Sequence, residues 1–139
     1  MTSKILCAVD GSAHGTAAAA EAARMAKAMN GELTIVAVNA RMGGYGRGGA
    51  SIYLWQDSDV KKVLADAKAA AVKAGVPNPM LECVESRDIG RAIVVLAEDR
   101  KCDHIVVGTG GKSTVGRMML GSVSSDVVHR AHCTVTVAR

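Results

Sequence analysis

The chain has 139 residues, 49% of them hydrophobic, which suits one globular domain with a real core and excludes a disordered chain. It contains no Phe, one Trp and two Tyr, so the core must be built from Val, Ile, Leu, Met and Ala, and base-stacking readers of single strands are disfavoured. The formal net charge is +4, but Lys and Arg are scattered among acids, so a mixed solvated surface is expected and no nucleic-acid partner.

Lys4 to Asp10 begins as an apolar run and stops at Asp10-Gly11, which reads as a buried strand ending in a turn. Ser12 can cap the helix that follows, which runs through the alanines 17–20 to Asn30. Gly31 is expected at the left-handed C′ position of that helix. Glu32 to Asn39 is the second strand. An irregular stretch from about Ala40 to Gln56 follows, with a surface loop as the favoured reading and a lid over a ligand as the sharper one. Residues 44, 46 and 49 satisfy Gly-x-Gly-x-x-Gly, but glycine-rich composition produces that pattern by itself and no helix opens after it. Tyr53 and Trp55 are expected to pack this loop down.

Asp57 or Ser58 can cap a second helix, whose apolar face is Val60, Val63, Leu64, Ala67, Ala71 and Ala74. Gly75, Pro77 and Pro79 end it. Met80 to Glu85 mixes apolar and charged residues and is expected at a sheet edge. Asp88 can cap a third helix with Ile89, Ile93, Leu96 and Ala97 facing inward. Asp103 to Gly108 is a fourth strand, Ser122 to Val128 a fourth helix, and Thr134 to Ala138 a fifth strand. Alternating strands and helices predict an α/β fold: a single-domain, open, parallel five-stranded sheet with helices on both faces. Right-handed crossovers favour the order 3-2-1-4-5. Ligands in such sheets bind where the strand order reverses, here at the ends carrying Asp10 and Gly108.

The cysteines at 7, 83, 102 and 133 form no Cys-x-x-Cys pair and read as buried, reduced thiols. His129 and His132 are spaced as metal ligands can be, but a helix-end charge and a strand-edge residue are the commoner explanations. His14 and His104 are expected at the surface or in caps. No apolar segment is long enough to cross a bilayer and no signal-peptide pattern opens the chain, so a cytoplasmic location without membrane insertion is expected.

The stretch from Gly108 to Ser122 carries the chemistry. A strand, a glycine-rich loop and a helix start arrive in the order that holds phosphate. Glycine lets backbone amides approach an anion, and the helix that follows turns its unpaired N–H groups and positive dipole end toward the same place. Lys112, Arg117 and the hydroxyls of Ser113, Ser122 and Ser124 can add contacts. Neither the Walker A pattern nor the dinucleotide fingerprint fits, because position 106 is Val and position 113 is Ser.

The spacing Gly108-x2-Gly111-x9-Gly121-Ser122 resembles the signature of the ATP-binding branch of the universal stress protein family. The likeness extends to Ile5 through Ser12, to Val36-Ala37-Val38, and to His132 through Val137, about the full length of the chain. It implies an adenine nucleotide alpha hydrolase-like, Rossmann-like fold and an ATP, ADP or AMP ligand. The backbone at Ala8 and Val9 and the side chain of Val38 would meet the adenine. Gly108, Gly111, Gly121 and Ser122 would form the phosphate loop, with Lys112, Ser113, Val123 and Ser124 beside it. Asp10 would lie next to the nucleotide and its Mg²⁺ or Mn²⁺, since a carboxylate beside a triphosphate needs a bridging cation. Turn chemistry with Gly11 explains Asp10 equally well. Many relatives have His or Arg where this chain has Gly110. The likeness also implies a homodimer through the C-terminal strand at 133–138, with higher oligomers and a regulatory partner protein as further expectations. No acid–base pair for efficient hydrolysis is evident. A nucleotide-dependent stress or regulatory protein therefore leads, ahead of a slow ATPase or nucleotide-transfer enzyme and of a nucleotide-free dimeric interaction module.

Overall fold

The computed structural model describes residues 2–42, 52–109 and 121–139. Its elements are β1 Lys4–Val9, α1 Ala13–Met29, β2 Glu32–Ala40, α2 Asp57–Lys73, β3 Met80–Ser86, α3 Ile89–Asp99, β4 His104–Gly108, α4 Ser122–Arg130 and β5 Thr134–Ala138. The strands form one five-stranded sheet in the order β3-β2-β1-β4-β5, every pair parallel, which is the predicted order. The mixed strand β3 is an edge, as its composition predicts.

Alternation along the strands builds two cores. Ile5, Cys7 and Val9 of β1, Leu33 and Ile35 of β2 and Val106 of β4 join the alanines of α1 and Ala67 and Ala71 of α2. On the other face Leu6, Val36, Val38, Ile105 and Val107 pack with Ile93, Val94 and Ala97 of α3 and Val127 of α4. The central strands are therefore apolar on both faces, as parallel sheets covered by helices require. Ala18, Ala19, Ala22, Ala23 and Ala26 are buried where α1 meets the sheet, and alanine gives that helix high intrinsic propensity. Among the described residues no helix is long and apolar enough to cross a membrane.

Several local expectations are corrected. Asn30, not Gly31, takes the left-handed position after α1, at φ 53°. Gly31 is required for a different reason, since a Cβ there would stand 2.6 Å from the Ser3 carbonyl oxygen. Gln56, not Asp57 or Ser58, caps α2, and its backbone N–H donates to Asp59 at 2.9 Å. Ala40 belongs to β2, and Arg41 bridges Tyr53 in antiparallel fashion, so the stretch after β2 is shorter than expected. The buried Asn39 side chain bonds both the N–H and the C=O of Trp55 at 2.9 Å, and Trp55 packs against the α1–α2 core. Cys83 is exposed, because edge strand β3 is covered on neither side as fully as the central strands. Cys7 is fully buried, and burial pushes its thiol up to about 12. His104 is no cap: its Nε2 lies 2.7 Å from Thr136 Oγ1 on the neighbouring strand, and desolvation holds its pKa below the usual value.

Candidate functional site at the carboxyl ends of the central strands

The chain reverses its direction across the sheet between β1 and β4, which lie side by side with Ala8 paired to Val107. Asp10 follows β1 directly and is exposed. Its Oδ1 accepts from the Ser12 N–H at 2.9 Å and from the Ser12 hydroxyl at 2.5 Å. Ser12 is the N-cap of α1, and its Oγ accepts from the Gly15 N–H at 3.2 Å. Gly11 lies at φ +83°, a conformation that favours glycine. Turn chemistry at Asp10 is thus present in full. Gly15 leaves room for the carboxylate, because a Cβ there would come within 2.9 Å of Asp10 Oδ1.

At the end of β4, Gly108 packs directly under α1. A Cβ on it would meet the His14 carbonyl oxygen at 2.7 Å and carbon at 2.8 Å. Close approach of two backbones therefore fixes glycine here. Thr109 is buried and makes three bonds: its N–H donates to Ala138, its carbonyl accepts from the Gly121 N–H at 2.6 Å, and its hydroxyl lies 3.0 Å from His14 Nδ1. Gly121 is the N-cap of α4, at φ −61° and ψ 161°. The Ser124 hydroxyl is buried and donates to the Gly108 carbonyl, tying the first turn of α4 to the end of β4.

Ala8, Val38 and Val123 belong to the same apolar cluster, on the α3–α4 face, whereas the Val9 side chain points into the opposite core. A shallow hollow of about 660 Å³ adjoins Val123, between the starts of α3 and α4, lined by Arg87, Asp88, Ile89 and Ser122 among others. Arg130 joins two carboxylates of its lining, with Nη1 3.0 Å from Asp88 and Nε 2.8 Å from Asp126. The Arg91 backbone N–H and then Arg130 hold the Asp88 carboxyl below the usual carboxylate range. Gly90 makes room for Asp126, whose carboxylate would collide with any Cβ there.

Of the residues singled out in the sequence, Ala8, Val9, Asp10, Gly108, Gly121, Ser122, Val123 and Ser124 gather around the ends of β1 and β4, and Val38 stands on the neighbouring strand β2. Gly111, Lys112, Ser113 and Arg117, and the glycines at 44, 46 and 49, lie outside the described residues. His14 and Thr109 were not singled out as site residues. A threonine directly after a motif glycine at the end of an apolar strand was the available signal. Among the described residues no three His, Cys, Asp or Glu side chains stand together as a metal group. His129 bonds the Ser125 carbonyl of its own helix, and His132 pairs with Glu98. A cation held by Asp10 would complete its shell with other oxygen atoms, as Mg²⁺ commonly does with phosphate and water.

The family model for universal stress proteins matches residues 1–139. The chain belongs to the universal stress protein family. A universal stress protein of Thermus aquaticus is 36% identical over 141 residues, covering 100% of both chains. One from Methanocaldococcus jannaschii is 41% identical over 80 residues, covering 58% of this chain and 44% of the relative. With a Methanothermobacter thermautotrophicus relative covered to 53%, the chain spans about half the length of these curated family members. Among solved structures, a universal stress protein in complex with cAMP superposes with a TM-score of 0.75 at 26% identity, covering 99% of this chain and 96% of that one. A family member from Archaeoglobus fulgidus shows the same fold, with a TM-score of 0.76 at 23% identity and coverage of 100% and 99%.

Proposed function

We propose that this universal stress protein is an adenine-nucleotide-binding regulatory protein of the ATP-binding branch. The base lies against the Ala8–Val9 backbone and Val38. The phosphates lie over Gly108 and Gly121 and against the amides of Ser122, Val123 and Ser124, with Gly111, Lys112 and Ser113 completing the loop. Asp10 shares a Mg²⁺ or Mn²⁺ ion with the phosphates. The bound nucleotide sets the state of a dimer joined through 133–138, or of a partner protein docked on it.

One observation carries the reading. The apolar cluster holding Ala8, Val38 and Val123 ends at the same strand termini where the Asp10 turn, Gly108 and the start of α4 converge. That gives an apolar surface for a base beside the first-turn N–H groups of α4, which helix geometry leaves without intrahelical partners for an anion to use. The similar structure holding cAMP supports the same ligand class.

Isothermal titration with ATP, ADP, AMP and cAMP, with and without Mg²⁺, tests it. ATP should bind at one site per chain, more tightly with Mg²⁺. Asp10→Asn should erase the Mg²⁺ gain, about tenfold or more, and should not weaken metal-free ATP, because the substitution removes a repelling charge. No heat with any adenine nucleotide at millimolar concentration would refute the proposal.

A further inference from the structure

His14 and Thr109 are separated by 95 positions yet join the two sides of the crevice. His14 lies in the first turn of α1, two residues after the Ser12 cap that holds the Asp10 carboxylate. Thr109 lies one residue past β4 and is only 8% exposed. Its carbonyl takes the N–H of Gly121, the cap of α4, and its N–H is held by Ala138 at the end of β5. Gly108 supplies the close packing that makes this possible, since its missing side chain is where the His14 carbonyl sits. The Asp10 turn and the start of α4 are thus connected through one chain of contacts: Asp10, Ser12, the first turn of α1, His14, Thr109, Gly121.

We infer that His14 is a positioning residue: through Thr109 it fixes the Gly121 cap of α4 relative to the Asp10 turn. The inference builds on the nucleotide reading of the same crevice, because the group that would hold the phosphates and the group that would hold their cation must keep a fixed separation. A site loose by one ångström loses the benefit of preorganised donors. Among the described residues His14 is the hydrogen-bond partner of the buried Thr109 hydroxyl, and two backbone bonds hold Thr109 with that hydroxyl toward α1. Half-buried His14 therefore acts through Thr109, not by touching a ligand.

Two readouts on the full chain test this. The first is amide hydrogen exchange at Gly121 in nucleotide-free protein. The second is MgATP affinity. His14→Ala and Thr109→Val should each speed Gly121 exchange about tenfold and weaken MgATP about tenfold, the scale of one well-placed hydrogen bond. The double variant should lose no more than either single one, since both remove the same contact. His14→Asn places an amide near the Nδ1 position and can donate or accept, so it should restore both readouts to within about threefold. His14→Gln places its amide one carbon farther and should behave like alanine, while Thr109→Ser should behave like wild type. Unchanged Gly121 exchange in His14→Ala would overturn the inference. So would faster exchange with MgATP affinity unaltered, which would leave a purely structural contact. If wild-type protein binds no nucleotide, the functional proposal falls, and the exchange measurement alone still decides whether His14 and Thr109 fix the cap.

Discussion

Gly108→Ala should destabilise the protein by about 2–3 kcal/mol, read as a lower urea midpoint with an unchanged slope. The added Cβ would lie 2.7 Å from the carbonyl oxygen and 2.8 Å from the carbonyl carbon of His14. Both are backbone atoms in the first turn of α1, so no rotamer change relieves the contact, and the helix and β4 must move apart. Alanine recovers about 0.5–1 kcal/mol of backbone entropy in a strand, which offsets only part of that strain. Gly108→Val should cost more. Gly31→Ala should destabilise on a similar scale, because its Cβ would stand 2.6 Å from the Ser3 carbonyl oxygen, a backbone atom that accepts the Glu32 N–H at 2.8 Å beside the β1–β2 pairing. Equal midpoints for Gly108→Ala and wild type would show that the approach of α1 to β4 is looser than described.

Gly121→Val should leave the fold intact and weaken ATP by about a hundredfold or more. Gly121 has φ −61° and ψ 161°, extended backbone that any residue adopts, and it supplies no side-chain cap to lose. Replacing glycine with a β-branched residue at an N-cap costs about 1 kcal/mol at most by that route. In the proposed site the isopropyl group would occupy the space beside the first amides of α4 that phosphate oxygens would use. Losing two charge-assisted hydrogen bonds corresponds to about two decades of affinity. Titration of the variant against wild type, beside its urea midpoint, separates the two effects. An affinity within about threefold of wild type would remove the α4 amides from the binding site.

The fold was legible in the sequence because three independent signals agree along most of the chain. Apolar runs such as Ile105-Val106-Val107 mark strands buried on both faces. Ser12 and Asp88 cap α1 and α3 as their positions before apolar helices suggest. Handedness and the charged character of β3 then leave little freedom in strand order. Misreadings occurred where a tertiary contact selects the residue. Gly31 looks like a helix terminator, but its partner is Ser3, and Asn30 does the turning. Cys83 looks buried beside Leu81 and Val84, but strand position in the sheet decides exposure. At the crevice, Asp10 and the spaced glycines stand out because backbone chemistry needs them. His14, Thr109 and the tie from Ser124 to Gly108 do not, because each joins residues brought together only when α1, β4 and α4 meet. Gly108 illustrates both layers: motif spacing marks it for phosphate, and the structure gives it a packing duty as well.

The most direct test of nucleotide binding at the strand termini is a ¹H–¹⁵N titration of the full chain with MgATP. The largest shift changes should fall on Val9, Asp10, Val38, Gly108, Thr109 and the amides from Gly121 to Ser124, saturating together at one equivalent. Changes confined to other surfaces, or none at all, would contradict it.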